Sequence, residues 1–217
     1  ETMSTIKKNI SDIDLATIRF AGDSGDGMQL TGNQFSDNTA IFGNDLATMP
    51  DYPAEIRAPK GSLAGVSSFQ LQFSSRDIHT PGDDLDVLVA MNPAGLKVHL
   101  GDLKDNGMLI INTANFTSKN LKLAGYDENI LKNDSLNLDN YQLINVDMTQ
   151  LVTTALIDTG IATKIINRST NMFALGLLYW LYGRSMKSSI EFIQNKFATK
   201  PEIIDANIKA LNAGYYY

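Results

Sequence analysis

The fold of this chain is decided by the segment from Leu15 to Gly27, which reads LATIRFAGDSGDG. Its first part, Leu15 to Phe20, is short and rich in apolar and β-branched residues, and Gly22 follows it closely, a pattern that predicts a strand ending at a tight turn. After the glycine-rich loop, apolar residues recur at loosely helical spacing from Met28 to Ile41, and Gly43 marks the end of that helix. A strand, a glycine loop and a helix therefore open the fold.

Strand and helix patterns alternate through the rest of the front half. Val66 to Phe73 alternates apolar and polar residues, which predicts a half-buried strand, and Leu85 to Met91 is almost continuously apolar, as in a central strand. A helical pattern from Asn92 to Leu103 and the turn dipeptide at residues 106–107 lead to another buried strand, Met108 to Ile111. The alternation predicts an α/β fold in which a single open sheet, mixed or mostly parallel, is flanked by helices.

The back half changes character after a polar stretch. Residues 114–140 are rich in Asn, Lys and Asp with weak periodicity, and they form either an exposed excursion or a small subdomain. Tyr141 to Met148 is the last predicted strand. Helices are then predicted over Thr149 to Asp158, Ser169 to Tyr182, Ser189 to Thr199 and Pro201 to Leu211. The 217 residues are thus predicted to form one domain with a helical C-terminal part.

The predicted helix from Ser169 to Tyr182 is apolar on nearly all sides, so we expect it inside the domain or against a partner. Arg168 and Asn171 open this helix and could cap it or contact another domain. Five of its side chains are expected in the core: Met172, Phe173, Leu177, Tyr179 and Trp180.

The composition excludes several classes of function. The chain has no cysteine, so it can form no disulfide and offers no thiolate to zinc or to an iron–sulfur cluster. Its two histidines, His79 and His99, show no metal-ligand spacing and are expected at the surface. A net charge of −6 without clustered Lys or Arg excludes nucleic-acid binding. No apolar run approaches the roughly 20 residues of a membrane span, and no continuous apolar segment opens the chain, so we expect a cytoplasmic protein.

The glycine loop, GDSGDG at residues 22–27, is the first candidate site. Glycines permit a positive φ and the close approach of a ligand, and the N–H groups at the start of the following helix favour an anion. The order Gly-x-x-Gly-x-Gly is neither the dinucleotide fingerprint nor a P-loop. Asp23 and Asp26 would repel a polyphosphate unless they turn away or bind a cation. The loop is therefore either a tight turn without a ligand or a contact for a phosphate-bearing cofactor or a partner domain.

The segment MPDYPAEIRAP at residues 49–59 is the second candidate site. Its prolines hold Glu55 and Arg57 on a stiff loop, which suits recognition, although the two charges could instead pair with each other at the surface. Arg57, with Lys60 as its nearest helper, suits a phosphate or carboxylate because a planar guanidinium binds such groups bidentately. Asn92 directly follows a buried strand, where ligands gather in open α/β sheets, but a helix cap is its simpler role.

These segments and their order resemble the gamma domain of 2-oxoacid:ferredoxin (or acceptor) oxidoreductases. The sequence YPAEIRAP at residues 52–59 is similar to the corresponding sequence in the 2-oxoglutarate branch of the family. In that branch the gamma domain is fused ahead of the subunit that helps to bind thiamine diphosphate. The glycine loop departs from the family's usual Gly-x-Gly-Gly-Gln-Gly at Ser24 and Asp26. The resemblance extends over almost the whole chain, through GSLAGVS at 61–67, VAMN at 89–92, RSTNMFALG at 168–176 and ANIKALNAGY at 206–215.

The resemblance implies a complete enzyme that decarboxylates a 2-oxoacid on thiamine diphosphate with magnesium, passes electrons through iron–sulfur clusters to ferredoxin and releases an acyl-coenzyme A. This chain would be a domain without catalytic residues or a metal, inactive alone, that contributes coenzyme A access and packs against thiamine-binding domains or subunits. The coenzyme A role would fall on residues of the two candidate segments: Gly22, Ser24, Gly25, Asp26, Gly27, Tyr52, Glu55 and Arg57. Asn92 is added to them because of its position after a buried strand.

Two further expectations concern the end of the chain and its opening strand, loop and helix. The Ala-Gly-Tyr ending resembles the junction with a thiamine-binding domain in fused members, which places such a boundary close to Tyr217. The strand, loop and helix at the start, taken alone, leave an alternative: a freestanding nucleotide- or dinucleotide-binding enzyme of the Rossmann-like class.

Overall fold

The computed structural model describes residues 13–23, 25, 27–52, 65–78, 82, 84–132 and 136–217. The strands are β1 (Leu15–Asp23), β2 (Asp45–Asp51), β3 (Val66–Ser74), β4 (Leu85–Ala90), β5 (Leu103–Asn112) and β6 (Gln142–Val146). In the described residues they form one sheet in the order β2-β3-β1-β4-β5-β6. β1, β4, β5 and β6 run parallel, whereas β3 is antiparallel to both β1 and β2. The predicted α/β fold with a single mixed sheet is confirmed.

The helices are α1 (Met28–Phe42), α2 (Pro93–His99), α3 (Ser118–Leu123), α4 (Met148–Leu156), α5 (Thr163–Arg168), α6 (Thr170–Leu181), α7 (Lys187–Lys196) and α8 (Pro201–Tyr215). α1 is flanked by Gly27 and Gly43, both with a positive φ, so the predicted helix stop at Gly43 is confirmed. The four predicted C-terminal helices are confirmed with small shifts of their ends. No helix in the described part of the chain is long and apolar enough to cross a membrane.

The sheet is covered on both faces by separate apolar cores. One core joins Ile18 and Phe20 of β1 to α1, α4, α6 and α8, and it includes Phe35 and Phe173. The other joins the inner strands to α2, α3 and part of the polar stretch 114–140, with Leu121, Ile130 and Leu138 buried beside Leu88 and Leu109. Apolar side chains of that stretch therefore pack onto the sheet.

Burial on both faces also explains why β3 differs from its prediction. The alternating pattern of Val66 to Phe73 predicts one solvated face, but Ser67 to Ser74 are all buried. Polar side chains on the second face instead form hydrogen bonds with other protein groups: Gln70 accepts a hydrogen bond from Arg19, and the Gln72 amide donates to Thr17. The half-buried prediction was wrong because a polar sheet face can be covered when its groups are paired.

The prediction that α6 is buried is confirmed. Its residues from Thr170 to Tyr179 are buried, and its closest neighbour is α8. Gly176 and Gly214 sit where a methyl group would run into the backbone of the facing helix, at Leu211 and Phe173 respectively. The two glycines therefore permit close contact between the helices. One core prediction was wrong: Trp180 is 42% exposed, because it lies at the end of α6 that leaves the core.

His99 was wrongly expected at the surface, because it is only 6% exposed. Its Nδ1 lies 2.9 Å from Nη1 of Arg19, a buried side chain of β1 that also pairs with Asp102. Burial lowers the pKa of His99, and the Arg19 guanidinium lowers it further, against the opposing effect of Asp102. His79 lies outside the described residues. The buried guanidinium of Arg19 needs polar partners, and His99 is one of them.

Two boundaries around β5 also differ from the sequence patterns. The helical pattern Asn92 to Leu103 is divided into α2 and a short 3-10 turn at Leu100–Asp102, and Leu103 already belongs to β5. The dipeptide at residues 106–107 lies within β5, where Asn106 has a φ of 60°. The pairing with β4 shifts at this point, so the turn signal marks a bulge in the strand and not its start.

Candidate functional site

The candidate site lies at one edge of the sheet, which we call the carboxyl edge because β1, β2, β4, β5 and β6 all end there. Ligands of open α/β sheets bind at this edge. A cavity of about 190 Å³, the edge cavity, is found here. It is lined by Gly25, Met91, Asn112, Asn115, Thr149, Asn167, Arg168, Thr170 and Asn171.

The glycine loop forms one wall of the edge cavity. Gly22 is buried in β1 opposite Ser67, and Gly25 lines the cavity. Gly27 has a φ of 73°, and a methyl group on it would lie 2.6 Å from Nδ2 of Asn171. Glycine is therefore required at position 27 both by the backbone conformation and by this contact. Ser24 and Asp26 lie outside the described residues. The loop residue Asp23 is partly buried, and that burial raises the pKa of its carboxyl.

The first turn of α6 forms the facing wall. Asn171 Nδ2 lies 3.3 Å from Oγ1 of Thr31 and 3.5 Å from the carbonyl oxygen of Gly27, so it links α6 to the start of α1. Among the described residues, neither Oδ1 of Asn171 nor Oγ1 of Thr170 has a hydrogen-bond partner, although both side chains are buried. Neither Arg168 nor Asn171 occupies the N-cap position of α6, which is Ser169. Both residues contribute instead to the edge cavity.

The third wall comes from the end of β5 and the start of α4. Asn112 is fully buried, and its Oδ1 accepts a hydrogen bond of 3.1 Å from the Met148 N–H. Its Nδ2 lies 3.5 Å from Oγ1 of Thr149. Asn115 donates from Nδ2 to the carbonyl oxygen of Met91, at 2.8 Å. These amides fix the strand end and the helix start in relation to each other.

Two helix N-termini thus reach the edge cavity: α4 contributes Thr149, and α6 contributes Thr170 and Asn171. Neither helix has an acidic residue in its first turn. Helix N-termini carry partial positive charge, and Arg168 at the lining adds a full one. A carboxylate of Asp147 lies close by in sequence, but it accepts a hydrogen bond from the Gln150 N–H as the cap of α4. The arrangement favours an anionic group.

The second candidate segment reaches the same edge. Tyr52 directly follows β2 and is 67% exposed. Glu55, Arg57 and Lys60 lie outside the described residues. Asn92 also lies at this edge, and its predicted cap is confirmed: its Oδ1 accepts a hydrogen bond of 2.8 Å from the Gly95 N–H. A ligand contact from Asn92 would have to use its other side-chain atoms.

Sequence patterns point to only part of this site. They indicate the glycine loop and Tyr52, but Asn112, Asn115 and Thr149 carry no motif, and only their positions at strand and helix ends give a signal. Within the described residues, no group of three or more histidine, aspartate or glutamate side chains is placed to hold a metal ion.

Known proteins resemble this chain over most of its length. The family model for pyruvate ferredoxin/flavodoxin oxidoreductase matches residues 17–217. The 2-oxoglutarate oxidoreductase subunit KorA of Mycobacterium tuberculosis is 56% identical over 200 residues, which cover 92% of this chain and 30% of that protein. The chain thus spans about a third of the length of this relative.

Solved structures share the fold. The 2-oxoglutarate:ferredoxin oxidoreductase from Magnetococcus marinus, with 2-oxoglutarate, coenzyme A and succinyl-CoA bound, matches 94% of this chain and 31% of its own, with a TM-score of 0.71 at 23% identity. The gamma subunit of a keto/oxoacid ferredoxin oxidoreductase from Geobacter sulfurreducens matches 93% of this chain and 99% of its own, with a TM-score of 0.57 at 20% identity. Together with the family match over residues 17–217, these likenesses establish that the chain belongs to the pyruvate ferredoxin/flavodoxin oxidoreductase family.

Proposed function

We propose that this chain is the gamma-type domain of a 2-oxoacid:ferredoxin oxidoreductase that acts on 2-oxoglutarate. The observation that carries the proposal is the 56% identity to a 2-oxoglutarate oxidoreductase subunit over 92% of this chain. The family match favours this function over a freestanding dinucleotide-binding enzyme, as does the glycine order, which is not the dinucleotide fingerprint.

In this proposal the reactive centres belong to other domains or subunits. Thiamine diphosphate with magnesium would supply the decarboxylation chemistry there, and iron–sulfur clusters would carry electrons to ferredoxin. This chain has no cysteine for a cluster, and its described residues contain no metal-ligand group. A thiamine-binding domain that follows this chain in the same polypeptide, and a cytoplasmic location, are parts of the proposal.

The role of this domain would be to bind part of coenzyme A. Coenzyme A carries phosphate groups, and the edge cavity offers the N-termini of α4 and α6 and the Arg168 guanidinium to an anion. Gly25 leaves the cavity wall free of a side chain, so a ligand can approach the backbone closely. Tyr52 stands exposed at the same edge, and Arg57 would add a second guanidinium for a phosphate. The acyl group would then be transferred to coenzyme A held against this domain.

Substrate choice is tested with the complete oxidoreductase that contains this chain. We expect reduction of ferredoxin, or of a viologen dye, to require coenzyme A and to be faster with 2-oxoglutarate than with pyruvate or a branched-chain 2-oxoacid. Equal or faster reduction with another 2-oxoacid would refute the assignment to 2-oxoglutarate.

The coenzyme A role is tested by hydrogen–deuterium exchange on the same complex. Addition of coenzyme A should slow exchange at the segments that line the edge cavity, residues 25–31, 112–116 and 168–172, and leave α7 unchanged. Protection confined to other domains would show that this domain does not contact coenzyme A.

A further inference from the structure

One side chain joins the two candidate segments. Gln29 is the second residue of α1, directly after the glycine loop. Its Nε2 lies 3.1 Å from the carbonyl oxygen of Asp51, 2.8 Å from that of Ser68 and 3.2 Å from Oγ of Ser67. The orientation of the amide is fixed by chemistry, because the two carbonyl oxygens can only accept hydrogen bonds and must face the NH₂ group.

The acceptors are the two ends of the connection between β2 and β3. Asp51 is the last residue of β2, and Ser67 and Ser68 lie at the start of β3. Oγ of Ser67 also donates to the Asp51 carbonyl oxygen, at 3.4 Å, so both ends meet at one point. Gln29 therefore closes the base of this connection from the side of α1.

The contact with Asp51 also determines how the chain leaves β2. The carbonyl group of Asp51 and the N–H of Tyr52 belong to the same planar peptide unit. Holding the carbonyl oxygen fixes that plane, and with it the direction in which Tyr52 starts. The glycine loop is held from its other side, where Asn171 contacts the Gly27 carbonyl oxygen. Hydrogen bonds thus hold the end of β2, directly before Tyr52, to the start of α1, directly after Gly27.

We propose that Gln29 is a positioning residue for coenzyme A, which keeps the glycine loop and the exit of β2 in the relative geometry that lets both contact one ligand. The inference rests on the proposed function, since it presupposes that the carboxyl edge binds coenzyme A. Gln29 itself touches no ligand in this mechanism. Its amide acts through the backbone of Asp51 and Ser68.

The test uses two variants of the complete oxidoreductase. Gln29→Glu keeps the length of the side chain but turns a carboxylate toward two carbonyl oxygens, and Gln29→Met keeps the length without a donor or a charge. Each should raise KM for coenzyme A about tenfold, as expected if the displaced segments lose one or two net hydrogen bonds to the ligand, with kcat and KM for the 2-oxoacid unchanged. Asn33→Asp is the control, because it makes the same charge change at an exposed position of α1 and should leave KM unchanged.

The two variants distinguish positioning from charge repulsion and from a purely structural role. An increase in KM for Gln29→Glu alone would show simple repulsion of an anion and overturn the proposal. A lower melting temperature with an unchanged KM for coenzyme A in both variants would show that Gln29 only supports the fold, and would overturn it as well. Failure of the proposed function is recognised separately: Arg168→Ala would then also leave KM for coenzyme A unchanged.

Discussion

The first turn of α6 and its middle lie in different surroundings. Thr170 and Asn171 are buried polar residues at the edge cavity, with side-chain oxygens that no described group pairs. Five residues further on, Gly176 packs against the backbone of α8, where a methyl group would collide with the Leu211 carbonyl oxygen. Unpaired buried polar groups cost stability, whereas close apolar packing contributes it. We propose that the start of α6 serves binding, whereas its middle serves the fold.

The largest effect on the free energy of unfolding is expected where α6 packs against α8. Gly214→Ala places a methyl group against the backbone of Phe173. Backbone atoms cannot turn aside as a side chain can, so α6 and α8 would have to move apart. We expect a loss of about 3 kcal/mol in the free energy of unfolding, at the upper end of overpacking costs. Gly101→Ala is the control, since no described atom lies within 4 Å of the added methyl group. Thermal unfolding of the complete polypeptide measures both, and equal melting temperatures would mean that α6 and α8 do not pack this closely.

A smaller and different effect is expected at the glycine loop. Gly27→Ala forces an alanine into a left-handed conformation and against Nδ2 of Asn171, so it should cost about 1–2 kcal/mol and raise KM for coenzyme A. Gly25→Ala adds a methyl group with no described atom within 4 Å, so it should leave the free energy of unfolding unchanged. Denaturant unfolding and steady-state kinetics compare the two variants. The same loss of stability in both would remove the special role of position 27.

The smallest effect concerns the buried histidine on the second face of the sheet. The pKa of His99 is lowered in the fold by burial and by Arg19, whereas in the unfolded chain it is about 6.5. The unfolded state therefore binds the proton more readily, so the stability due to neutral His99 is complete above about pH 6.5 and is lost as the pH falls below it.

His99→Gln should flatten this pH dependence. Between pH 5 and pH 7 the free energy of unfolding of the wild type should rise with pH more steeply than that of the variant, by at most about 1.4 kcal/mol per pH unit for one proton. Denaturant titrations at several pH values measure the two slopes. Parallel slopes would show that His99 does not become charged on unfolding in this range.

The same contrast explains what the sequence could predict. β1, the glycine loop and α1 follow from local signals, because strand periodicity, glycines with positive φ and a helix stop each act within a few residues. The buried character of α6 follows from its composition alone. Local chemistry therefore determines the elements and their order along the chain.

The edge cavity could not be predicted in the same way. Asn112, Thr149 and Arg168 are far apart in the sequence, and only the parallel arrangement of the strands brings them together. His99 was wrongly expected at the surface for a related reason, since its buried partner Arg19 lies 80 positions earlier in the sequence. Contacts across the sheet are set by tertiary packing, which a residue pattern does not contain.

The most direct test of coenzyme A binding at the carboxyl edge compares two cations of α5 in the complete oxidoreductase. Arg168 lines the edge cavity, whereas Lys164, one helical turn earlier, is exposed and does not line it. Arg168→Ala should raise KM for coenzyme A about tenfold or more, as expected when a charged hydrogen-bond partner is lost, and leave the melting temperature unchanged. Lys164→Ala should change neither quantity. An unchanged KM in Arg168→Ala, or an equal rise in both variants, would contradict binding of coenzyme A at this edge.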